Sequence, residues 1–188
     1  MKTLDIFEKE IEHYNTLNNI AKPNPVILFG STFAKTIPVG ELNKSMNLDC
    51  DIYNRSFTDL SVFDAETLIE KCVFPLQPKK IVLQLGETDL ERGFKTIPEI
   101  INKYKELIQK IKSFDEHCKI IIASIGSSST DSFPSTFNEE LKKMAKDNSC
   151  RYVDITSAFN DITPSICAFR IMKLFLLNHI SFYDAMNA

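Results

Sequence analysis

The sequence predicts an α/β protein built on one parallel sheet with helices on both faces. Short apolar runs alternate along the chain with longer amphipathic ones, as parallel strands and their crossover helices do. The runs VILFG (26–30) and KIVLQLG (80–86) both end at a glycine. There is no internal repeat and no low-complexity linker to divide the chain. With 188 residues, 44% hydrophobic and 25% charged, it is long enough for a single domain over 1–188 with a sizeable core.

The elements follow in order. Residues 3–20 read as a helix within an N-terminal segment 1–22, with Leu4, Phe7, Ile11, Tyr14 and Leu17 near helical spacing. Pro23 and Pro25 close it. Residues 26–30 form the first strand and DIYNRS (51–56) the second. TLIEKCV (67–73) is helical and is closed by Pro75 and Pro78, and 80–86 is the third strand. Thr96 and Glu99 are spaced as a capping box. They open a helix whose stripe is Ile100, Ile101, Tyr104, Leu107, Ile108 and Ile111. KIIIASIG (119–126) is the fourth strand, and the polar loop SSSTDS (127–132) follows. A helix over 136–147 carries Phe137, Leu141, Met144 and Ala145 on one face. RYVDI (151–155) is the fifth strand, and FRIMKLFLL (169–177) runs into the polar turn Asn178-His179-Ile180-Ser181.

Composition excludes several function classes. The net charge is −3, with no basic stretch to hold nucleic acid or an anionic membrane. No apolar run approaches the ~18 residues of a membrane span. The start, MKTLDIFEKEIEHYN, has no apolar stretch of the secretory kind. Five cysteines (Cys50, Cys72, Cys118, Cys150, Cys167) without a C-x-x-C pair read as free thiols in a reducing, cytoplasmic setting. Three scattered histidines (His13, His117, His179) give no zinc-ligand spacing, and no cofactor is expected. Phenylalanine supplies 14 of the 19 aromatic residues, which points to core filling.

Ligands of an open parallel sheet sit beyond the carboxyl ends of its strands. The residues there are Gly30-Ser31-Thr32, Asn54-Arg55-Ser56, Gly86-Glu87-Thr88-Asp89, Gly126-Ser127 and Asn178 to Ser181. In order and strand context these blocks, from about residue 25 to the end, resemble those of the SGNH (GDSL-type) hydrolases. The resemblance implies a three-layer α/β/α, flavodoxin-like domain with a five-stranded parallel sheet, of a family of esterases and acyl hydrolases. LFGSTF (28–33) lies where the family has Gly-Asp-Ser, so Gly30 matches, Ser31 replaces the Asp and Thr32 takes the nucleophile position. In YNRSFTDLS (53–61) the Asn and Arg match, while the oxyanion glycine falls on Asp59 or Thr58. LGETDL (85–90) keeps Gly86 and Asp89 but puts Thr88 where the oxyanion Asn belongs. The final Asp-x-x-His block has two registers. One puts the Asp on Asn178 and the His on Ser181, and the other puts the His on His179 and the Asp on Leu176.

These replacements bear on chemistry. A hydroxyl nucleophile needs a base to take its proton and an acceptor to orient that base. Ser181 is no base near neutral pH, and Leu176 cannot orient His179. An acidic side chain at Asp59 would stand where negative charge develops. The first reading is therefore a hydrolase-like protein, weak or inactive as an esterase, that keeps a pocket including Ser56, Asp59 and Thr88 for a small ester or acylated sugar. The second is a working esterase using Thr32 or Ser31 with His179. A third is an interaction subunit that pairs with a copy of itself through the amphipathic N-terminal helix. The final helix is short for the family, which leaves room for a longer native chain.

Simpler roles stand beside these. Ser31 and Thr32 cap the helix that starts near Pro38 or satisfy loop amides. Asp89 bonds loop amides. Asp59 and Asp64 are helix N-terminal charges. His179 is a hydrogen-bonded turn residue, and 127–132 is a surface loop.

Overall fold

The computed structural model describes residues 3–126 and 133–156. Five strands, β1 (Val26–Gly30), β2 (Ile52–Asn54), β3 (Lys80–Gln84), β4 (Lys119–Ala123) and β5 (Arg151–Val153), form one sheet. Every pairing is parallel, and the spatial order is β2-β1-β3-β4-β5. That is the doubly wound, flavodoxin-like order, with its switch point between β1 and β3.

The sheet is apolar on both faces because helices cover both. Ile27, Phe29, Ile81, Leu83, Ile120 and Ile122 point into the larger core. It is filled by α1 (Glu8–Asn18), α4 (Val62–Cys72), α6 (Ile97–Phe114) and α7 (Phe133–Asp147). Val26, Leu28, Val82, Ile121, Ala123 and Val153 point the other way. Two short helices, α2 (Thr32–Thr36) and α3 (Val39–Ser45), lie on that side with Ala34, Ile37 and Val39. A further short helix, α5 (Glu87–Arg92), follows β3.

The capping box forms as the spacing predicts. The Thr96 amide donates to Glu99 Oε2 at 2.8 Å, and all six residues of the α6 stripe are buried. Several bounds shift, three of them for evident local reasons. The second strand stops at Asn54, whose side-chain oxygen accepts from the Ser56 amide at 3.0 Å and turns the chain. Helix α4 begins at Val62, five residues before the predicted start, because Ser61 caps it by accepting from the Phe63 amide. The third strand ends at Gln84, ahead of the left-handed Gly86 (φ 112°).

The N-terminal helix has its apolar side inside the chain. Phe7 and Tyr14 are buried, and Tyr14 meets Phe57 edge to face at 5.1 Å. The face expected to pair with a second copy is thus occupied internally. Among the described residues no helix is long and apolar enough to cross a membrane. Among them, too, no group of three or more His, Cys, Asp or Glu side chains could hold a metal ion. Four free cysteines, Cys50, Cys72, Cys118 and Cys150, lie in the described part.

Candidate functional site

The carboxyl ends of β1 and β3 lie side by side, with Gly30 paired to Gln84. Gly30 is required by that approach. A Cβ there would stand 2.3 Å from the Gln84 carbonyl oxygen and 2.6 Å from Ala34 Cβ. Gly86 is held in a left-handed conformation, and a Cβ would strike the Phe137 ring at 2.5 Å. Both glycines bring the two loops together, which is a backbone role.

Behind them stands a buried polar layer. Ser31 is fully enclosed, and its Oγ lies 2.7 Å from Thr88 Oγ1. Its backbone amide donates to the Gln84 carbonyl oxygen at 3.0 Å. Ser31 is therefore not presented as a nucleophile, and the second reading narrows to Thr32. Ser31 also occupies the cap position of α2 without a side-chain bond to it, so the expected cap on the helix at Pro38 does not form. Thr88 turns inward to Ser31 and is itself buried.

Asp89 is buried and binds the start of α4. Its Oδ1 accepts from the Ser61 hydroxyl, and its Oδ2 accepts from the Val62 amide at 3.0 Å. Burial raises its carboxyl above the ordinary range, against the lowering effect of those two bonds. Glu87 has different partners: its Oε1 accepts from the Phe33 amide and its Oε2 from Gln84 Nε2, both at 3.0 Å. The two acids have separate partners, and each ties down a loop. Ser56 is fully buried too, its carbonyl taken by the Tyr14 hydroxyl, so it is a structural residue and does not line an open pocket.

Thr32 is exposed at the first position of α2. Its hydroxyl donates to Asp59 Oδ1 at 3.0 Å and accepts from the Asp59 amide at 2.9 Å. Asp59 holds a left-handed backbone (φ 54°), the conformation a glycine adopts without cost. Its carbonyl accepts from Arg92 Nη2 at 3.2 Å. Asp59 stands before the cap of α4 and is not a helix N-terminal charge, whereas Asp64 lies in the first turn of that helix. Asn178, His179 and Ser181 lie outside the described residues, as does the loop 127–132.

Two contacts at this end escaped the sequence reading. Asn54 Nδ2 donates to the carbonyls of Ala34 at 2.8 Å and Ile37 at 3.1 Å, clamping α2 to β2. Arg55 is buried, donates from Nε to Asn18 Oδ1 at 2.9 Å, and stacks over Tyr14 and Tyr53. An Asn-Arg pair just after a strand signals an anchor, but its partners are 17 to 37 residues distant in sequence and invisible to local pattern.

Chemically, the arrangement places an exposed hydroxyl at a helix start next to a carboxylate. The Asp59 amide and the Thr88 hydroxyl are engaged by Thr32 and Ser31.

No protein-family model and no curated protein matches the chain. Solved structures do. A Streptococcus pneumonia protein named as a platelet activating factor matches at 17% identity and TM-score 0.77, over 94% of this chain and 93% of that one. A GDSL-like lipase from Bacteroides thetaiotaomicron matches at 15% identity and TM-score 0.69, over 89% and 96%. An acetylxylan esterase from Geobacillus stearothermophilus matches at 14% identity and TM-score 0.65, over 83% and 94%. The described part of the chain has the α/β fold of the GDSL-type hydrolases.

Proposed function

We propose that this chain is an SGNH hydrolase-like protein with substituted catalytic positions, weak or inactive as an esterase, that keeps a ligand site at the carboxyl ends of its strands. The observation that carries this reading is the closed pair between Thr32 and Asp59. The hydroxyl at the nucleophile position is bound twice by one residue. The amide that would stabilise an oxyanion is used to bind that hydroxyl. A carboxylate stands where negative charge would develop, which opposes the transition state of acyl transfer. Losing one oxyanion donor alone costs about 10²–10³ in rate. The ligand class is a small ester or acylated sugar, by analogy with the acetylxylan esterase of the same fold. The free thiols fit a reducing, cytoplasmic compartment.

The exposure of Thr32 supports a second reading, an active esterase with Thr32 as nucleophile and His179 as base. Hydrolysis of a short-chain aryl acetate by wild type, Thr32→Ala and His179→Ala separates the two. The substituted-site reading expects wild-type turnover no higher than that of either variant. Turnover in the wild type that disappears in both variants refutes it.

A further inference from the structure

We draw no further inference here: the strongest candidate, the apolar groove between α6 and α7 lined by Ile97, Pro98 and Ile101, carries nothing because nothing in the structure shows what covers it.

Discussion

Replacing Asp89 with alanine should cost about 3 kcal/mol of stability, and the figure follows from what the carboxylate holds. The variant strands the Ser61 hydroxyl and the Val62 amide, which donates at 3.0 Å, and both residues are buried. Each stranded donor costs about 1–3 kcal/mol, offset in part by relief of the buried charge. For a chain of 188 residues this lowers Tm by about 6–12 °C. Asp89→Asn keeps an oxygen for the Val62 amide and should cost about half as much. The pH dependence has a definite sign. Burial raises the folded pKa above the ordinary 3.8, so in that window the folded state binds the extra proton. The stability gap between wild type and Asp89→Ala should therefore widen as pH falls through the raised value and level off near 3.8. Urea unfolding followed by circular dichroism from neutral to acid pH measures both effects. A gap below about 1 kcal/mol, or one that widens as pH rises, would refute the assignment of Asp89 as the tie between α5 and α4.

Three further outcomes are expected. Gly30→Ala places a Cβ 2.3 Å from the Gln84 carbonyl and should cost about 3 kcal/mol or more; an unchanged Tm would contradict the β1–β3 register. Burial, opposed by Arg55, raises the Tyr14 hydroxyl from 10.0 to about 12, so its contribution is complete below pH 10 and is lost as pH climbs through 12. Tyr14→Phe should lose about 1–2 kcal/mol at neutral pH and flatten the alkaline decline by up to about 3 kcal/mol, and parallel alkaline profiles for the two proteins would sink this account. Burial pushes the thiols of Cys72 and Cys118 up to about 11 and about 12. Both should resist iodoacetamide at pH 8 in the folded protein, with half-buried Cys50 and Cys150 labelled first; peptide mapping that finds Cys72 modified without denaturant would show the packing to be wrong.

Much of the frame was legible because its causes are local. Apolar runs marked all five strands, and the pair Thr96 and Glu99 marked the start of α6. Pattern alone could not find α2, α3 and α5, which are five to seven residues long and depend on neighbours to form. Single residues at the site were harder. Ser31 and Thr32 are adjacent hydroxyls at a strand end, alike in sequence. One is sealed against Thr88 and the other stands in solvent against Asp59. Asp89 and Glu87 are acids two positions apart in sequence, yet their partners lie on different elements, α4 for one and β3 with the start of α2 for the other.

The sequence by itself determined the class of fold, the order of its strands and the strand ends worth inspecting, since hydrophobic period and turn chemistry act between near neighbours. Tertiary structure decided which hydroxyl is exposed and which acid is structural. Those outcomes depend on burial and on contacts between residues some 27 to 57 positions apart, which a one-dimensional pattern does not record.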